Sequence, residues 1–304
     1  GVVMEEFKQR CLNQPYGDVG HLLRPLAYKV HPYQWPTIGK ELSHIANATL
    51  DEVKDFFFRF YAPNNAVLAV TGNISFEETV ALTEKWFASI PKRDVPVRQL
   101  PQEPAQTEER RLVVERNVPI DSLFMAYHMC ERAHPDYYAF DILSDILSNG
   151  KSSRLNRHLV QEKQLFSSID AYISGTVDAG LFHISGKPAA GVSLEEAETA
   201  VREELNRLQN EAVTVQELEK VKNKFESTQI FGNINYLNVA TNLAWFELNG
   251  AAEDMEKEVE RYRSVTAGQL QAVAQTSFDK RNGVVLYYKG LSPAVSVREG
   301  VKLD

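Results

Sequence analysis

A chain of 304 residues exceeds what one hydrophobic core usually organises, so two domains of ordinary size are expected. At 43% apolar and 24% charged residues, without the ~18 uninterrupted apolar residues that a membrane helix needs, it reads as soluble and globular with no membrane span. A formal net charge of -8 argues against a phosphate-binding surface and removes nucleic acid from the partners, because that contact needs clustered Lys and Arg.

In chain order, periodicity predicts helices near 2 to 14, 50 to 61 and 75 to 89, with a strand at Ala66 to Thr71. Four prolines among charged and Gln residues between Pro91 and Glu109 mark an extended linker that resists packing. Strands follow at Arg111 to Arg116 and Ser122 to Met129, then helices at His134 to Ser148 and Ser152 to Gln164. An apparent hairpin pairs Ser167 to Ser174 with Gly180 to Gly186. Helices are expected at Leu194 to Asn210, an acidic one with a solvated face, and from Val215 to about 247 with a break near Gly232. The last helix begins at Ala267 and the last strand is Val284 to Tyr288. This gives 1–92 as one domain, 93–109 as linker and 110–304 as a second domain.

An internal repeat appears at an offset of 217 residues, laying Thr49 to Asn73 over Thr266 to Gly290 without a gap. Each copy opens with Thr as a helix N-cap and carries an apolar stripe: Val53, Phe56, Phe57, Phe60 and Tyr61 in the first, Leu270, Val273, Ala274 and Phe278 in the second. Both stripes are expected to face a sheet. Asn65 matches Asn282 in the turn, and Val67 to Val70 matches Val284 to Tyr287 in the strand. With the second copy starting near Gln106, the first would begin about a hundred residues upstream of Gly1.

No self-contained constellation is present: no G-x-S-x-G, no phosphate-binding glycine loop, no H-E-x-x-H and no H-x-x-E-H. Cys11 and Cys130, far apart, exclude a disulfide framework and a thiolate zinc site. The seven histidines never recur at i, i+4, so each reads as a cap, surface or core residue. In the opening helix Val3, Phe7 and Cys11 form the expected buried stripe, which puts Glu6 at its border and Glu5 on the solvated side. A carboxylate at such a margin can coordinate a metal whose other ligands come from elsewhere, or simply be one of two solvated acids near a helix start. Tyr28, Tyr33 and Trp35, around Pro32 and Pro36, either line a groove or, more simply, pin a long loop to the core.

Val2-Val-Met-Glu-Glu-Phe7, His31-Pro-Tyr-Gln-Trp-Pro-Thr-Ile-Gly39 and Phe57 to Gly72 resemble the later part of the catalytic domain of pitrilysin/insulinase-type zinc metallopeptidases. Leu147-Ser-Asn-Gly-Lys-Ser-Ser-Arg-Leu155, followed by Leu159 to Leu165, is similar to the helix-loop-helix of that family's non-catalytic domain. The resemblance implies an α+β fold of duplicated α/β domains, each a mainly antiparallel sheet packed on helices. It implies zinc in the intact protein, held by two His of an inverted H-x-x-E-H motif and by a distal Glu, with the motif's Glu as general base. Glu6 matches the distal ligand, and Glu5 is the alternative if the register slips by one. The general base and both His would lie upstream, so this chain alone is expected to bind no catalytic zinc and to cleave nothing.

The resemblance also implies an extended peptide substrate and an Arg and a Tyr, seven residues apart, that hold the substrate carbonyl. At those positions stand Val160 and Ser167, with Tyr172 a conceivable substitute. A homo- or hetero-dimer with a related subunit carrying the Arg and Tyr is therefore expected. The competing readings are a non-catalytic family subunit that assembles or holds substrate, and a small-molecule-binding repeat protein with a pocket between its two domains. The compartment, cytoplasmic or periplasmic, is not legible.

Overall fold

A computed structural model describes residues 1–291; the last part of the expected second domain, 292–304, lies outside the described residues. The N-terminal part holds α1 (Val2–Phe7), continued by π-helical turns over Lys8–Leu12, then α2 (Val19–Ala27), α3 (Leu42–Asn47), α4 (Leu50–Phe60) and α5 (Phe76–Phe87). The remainder runs β1 (Arg110–Arg116), β2 (Ser122–His128), α6 (Tyr137–Ser148), π-helical turns at Asn156–Glu162, β3 (Phe166–Ile173), β4 (Leu181–Pro188) and α7 (Leu194–Asn210). It ends with α8 (Val215–Gly232), α9 (Tyr236–Asn249), α10 (Asp254–Ser264), α11 (Ala267–Ser277) and β5 (Gly283–Gly290). The expected break at Gly232 separates α8 from α9.

The five strands form one sheet in the order β1-β5-β2-β4-β3, parallel only between β1 and β5. This is the expected mainly antiparallel α+β arrangement. Alternation along β2 sends Leu123, Met125 and Tyr127 into the larger core, where they meet Leu143 and Leu147 of α6 and Val201 and Leu205 of α7. Strand β5 lies between β1 and β2 and is buried on both faces, which is why it reads as an unbroken apolar run: Val285 and Tyr287 on one side, Val284, Leu286 and Tyr288 on the other.

The second face is covered by α2, which arrives from the N-terminal part. Its Leu23 and Ala27 pack on Ala126, Leu181, Val284 and Leu286. Arg110 donates to the carbonyls of Leu26 and Ala27 at 2.7 and 2.9 Å, satisfying acceptors that the end of a helix leaves free. Tyr28 then donates to the Ala179 carbonyl at 3.0 Å, so of the three loop aromatics Tyr28 is an anchor rather than a groove wall.

The repeat extends beyond its sequence signal. At the same offset α4 and α11 coincide at both ends, the 3-10 turn Pro63–Asn65 falls on Lys280–Asn282, and the first residues of α2 and α9 align. Thr49 accepts from the Glu52 amide at 3.3 Å and Thr266 from the Gln269 amide at 3.2 Å. The two copies also engage each other reciprocally. Tyr288 donates to Asp18, just before α2, at 2.7 Å, and Thr71, its repeat equivalent, donates to the Tyr236 carbonyl at the start of α9 at 2.6 Å.

Four expectations are corrected. Residues 66–71 are extended but form no strand, because no described segment offers them a ladder partner. The α4 stripe accordingly faces no sheet: Phe56 is 56% exposed, whereas Leu270 of α11 is 0% exposed. Val3 is exposed as well, leaving Phe7 and Cys11 as the buried positions of the first helix. The proline-rich segment does not resist packing. It has no regular structure, yet the Glu103 carboxylate accepts from the amides of Lys29, Val30 and His31 at 2.7 to 2.9 Å, and Gln106 donates to the Gly283 carbonyl at 2.7 Å. Polar side chains thus dock a backbone that composition alone would leave free.

Candidate functional site

Glu6 lies on α1 with its carboxylate half-exposed, and Arg10, one turn later, reaches it at 2.6 Å. Glu5 points away and pairs with Lys8 at 2.8 Å. Only Glu6 lines a groove of about 490 Å³, whose other walls include Arg10, Cys11, Gly20, His21 and Ile38. The groove is shaped by close backbone approach: a Cβ on Gly17 would sit 2.5 Å from the Arg10 carbonyl. His21 Nε2 lies 2.8 Å from the Gly39 carbonyl and ties the loop after Pro36 to α2.

Among the described residues no group of three His, Cys, Asp or Glu is placed to hold a metal. One accessible hard-oxygen ligand fits a shared zinc site and does not make one.

The repeat equivalent of Glu6 is Asn223 on α8, which accepts from Arg263 at 2.7 Å. Alongside, α6 carries Asp141 and Asp145 at the i, i+4 spacing. Asp141 is raised above the ordinary carboxylate range by burial and accepts from Tyr262 at 2.5 Å. This half therefore carries at the corresponding place polar groups bonded to protein, with no three-group metal site among the described residues.

The structure does not bring Val160 and Ser167 together as donors. Val160 packs against the core from the π-helical turns, and Ser167 on β3 gives its hydroxyl to the Lys187 carbonyl at 3.1 Å. Tyr172, also on β3, stacks on His183 with ring centroids 4.8 Å apart. The outer edge of β3 is closed at Ala171, whose carbonyl accepts from Ser148 and whose amide donates to Asp170.

Sequence reasoning missed the charge buried in α7. Glu198 and Glu204 face the core from a helix whose acidic residues are expected on a solvated face opposite its apolar stripe. Glu198 accepts from Arg111, Arg202 and Tyr287 at 2.6, 2.7 and 2.5 Å, and the fully buried Glu204 accepts from His158 Nδ1 at 2.8 Å. The signal available was their position on the same side as Val201 and Leu205. A cavity of about 500 Å³ beside α9 and α10 was also unforeseen; its arginines are already engaged, Arg132 by Glu258 and Arg261 by Asp254.

Residues 47–225 match the family model described as the peptidase M16 inactive domain. The chain belongs to the peptidase M16 family. It is 31% identical to the zinc protease PqqE of Helicobacter pylori over 224 residues, covering 73% of this chain and 50% of that protein. It is 26% identical to the uncharacterized zinc protease YmxG of Bacillus subtilis over 227 residues, 75% and 54% of the two chains. The chain thus spans about half the length of these curated relatives. The crystal structure of a protease from Helicobacter pylori superposes with a TM-score of 0.89 at 27% identity, over 95% of this chain and 70% of that one. The M16 inactive domain from Pseudomonas fluorescens shares the fold, with a TM-score of 0.84 at 20% identity over 96% and 69% of the chains. Among the described residues no helix of this M16 chain is long and apolar enough to cross a membrane.

Proposed function

We propose that this chain is the later part of a zinc metalloendopeptidase, in which the N-terminal portion lends Glu6 as one metal ligand and residues from 110 onward form the non-catalytic partner domain. The observation that carries the reading is the placement of Glu6: half-exposed, paired with Arg10, and opening onto a groove, where its repeat equivalent Asn223 is engaged by Arg263. Zinc held there would supply a polarised scissile carbonyl and a lowered pKa for water. Glu6 contributes one oxygen ligand, and Arg10 holds its carboxylate toward the groove.

Val160 and Ser167 offer no cationic or phenolic donor for a developing oxyanion, and a second copy of this chain would offer none either, so a different but related subunit supplying Arg and Tyr in a hetero-dimer fits the reading best. The alternative, a non-catalytic subunit, draws support from the family model matched, which describes an inactive domain.

The test is metal analysis of the complete gene product and peptide hydrolysis by it, alone and together with the related subunit. Near one zinc per protomer with cleavage, both lost in Glu6→Gln, supports the peptidase. Absence of zinc and of cleavage in the unmodified protein supports the non-catalytic subunit.

A further inference from the structure

We infer that a small pocket on the face of the sheet that α2 covers is a binding site for a free α-amino acid, with Asp170 facing its ammonium group and Lys187 its carboxylate. Strand register builds the site. Phe124 of β2, Ser185 of β4 and Asp170 of β3 stand in one row across the sheet, and Lys187 of β4 pairs with Ser168 of β3 in the next. Ser122 comes two residues before Phe124 on β2, and side chains two apart on a strand share a face, so all six line one pocket of about 160 Å³. Phe124 also packs with the α2 cluster, which identifies the face. The size is below the range that holds drug-sized ligands and limits the occupant to a few non-hydrogen atoms.

The pocket has one acid and one base at its rim, held apart from each other. Asp170 Oδ1 accepts from the Ala171 amide at 3.1 Å, and Lys187 Nζ sits 5.0 Å from the centre of the Tyr16 ring. Among the described residues neither makes an ion pair. They are diagonal neighbours on antiparallel strands, about 7–8 Å apart along the backbone. That spacing suits an ammonium and a carboxylate about 3 Å apart in one molecule, each with a hydrogen bond of about 2.8 Å to its counterpart.

The floor adds an independent observation. Ser122 is 1% exposed, and its hydroxyl has no hydrogen-bond partner among the described residues. Leaving a buried hydroxyl unpaired costs free energy, and a ligand that bonds to it recovers that cost. The wall is fixed in place: Phe124 packs on Tyr16 and Tyr288 with ring centroids 6.5 and 6.2 Å apart, and Tyr16 donates to the Ile120 carbonyl at 2.6 Å. A peptide matches the pocket less well than an amino acid does, because its two end charges are separated by the chain and either end leaves one rim charge unanswered. The inference is therefore independent of the peptidase reading.

The test is saturation-transfer NMR on the complete gene product, titrated with L-alanine, N-acetyl-L-alanine, L-alaninamide and glycylglycine. L-Alanine should bind saturably with a Kd of about 1 mM. Removing either of its charges, or separating them in glycylglycine, should weaken binding by about fivefold or more, the size of a charge-assisted contact at an exposed rim. Asp170→Asn and Lys187→Gln, both at exposed positions, should each weaken L-alanine binding to the same degree with unchanged thermal melts. Ser122→Ala should weaken it by about threefold or more without lowering stability, since the hydroxyl it removes bonds to no described residue. Absence of saturable binding up to about 20 mM overturns the assignment. So does equal binding of N-acetyl-L-alanine, L-alaninamide or glycylglycine, or L-alanine binding left unchanged by Asp170→Asn, Lys187→Gln or Ser122→Ala.

Discussion

Asn65 and Asn282 stand 217 residues apart and make the same hydrogen bond: the side-chain amide of each donates to the carbonyl five residues earlier, Phe60 at 2.8 Å and Ser277 at 2.9 Å. Each closes the helix before it and turns the chain toward an extended segment. Only the second of these segments is a strand, and Asn282 alone adds a bond across the sheet, to the His128 carbonyl at 2.9 Å. Asn282→Ala should therefore cost about 1–3 kcal/mol, through partly buried acceptors left unpaired, whereas Asn65→Ala in this chain should cost no more than about 0.5 kcal/mol. Urea denaturation of the two variants measures both.

Glu198 ties α7 to the sheet. Burial opposes its charge, but bonds from Arg111, Tyr287 and Arg202 outweigh that and hold the carboxylate at about 2, below its usual 4.5. A depressed carboxylate stabilises the fold fully above its unfolded value and loses that stabilisation as pH falls toward 2. About 3 kcal/mol should disappear between pH 5 and pH 2. Glu198→Gln should destabilise the chain at pH 7 and flatten this acid limb, as followed by thermal melts across the range.

The imidazole of His183 works at milder pH. Burial first, and the Arg24 charge second, push it down to about 4 from 6.5. The folded state resists the proton that the unfolded state accepts, so stability falls as pH drops from 6.5 to 4, by about 3 kcal/mol at most. His183→Gln should remove that slope. A proton NMR titration of the ring that returned a value near 6.5 would contradict the expectation.

The fold was legible where local chemistry repeats. Thr49 and Thr266 cap helices because their hydroxyls satisfy free amides, and the run at Val284 to Tyr287 is apolar because β5 is buried on both faces. The docking of α2 onto the second sheet was not legible. Periodicity reveals an apolar face and says nothing of which sheet receives it. Glu198 was misread for a related reason: a helix rich in Glu looks solvated until Arg111, contributed by a strand 87 residues earlier, supplies the counter-charge. At the candidate site the order of Glu5 and Glu6 could be read from helical spacing, but the pairing with Arg10 and the groove depend on a loop fastened by His21.

The α4 and α11 stripes give the most direct check on whether further sequence covers α4. Leu270 is fully buried, so Leu270→Ala should cost about 2–5 kcal/mol wherever it is measured. Phe57 is 48% exposed and touches Tyr61 in a stacked pair, so Phe57→Ala in the 304-residue chain should change stability by less than about 1 kcal/mol. In the complete gene product, if a sheet is built on residues 66–71 as it is on β5, the same substitution should cost as much as a core phenylalanine, about 3–5 kcal/mol. Paired denaturation curves of the two proteins separate the outcomes. Equal small effects would mean that α4 stays uncovered, and would remove the support that the repeat gives to a completed first domain.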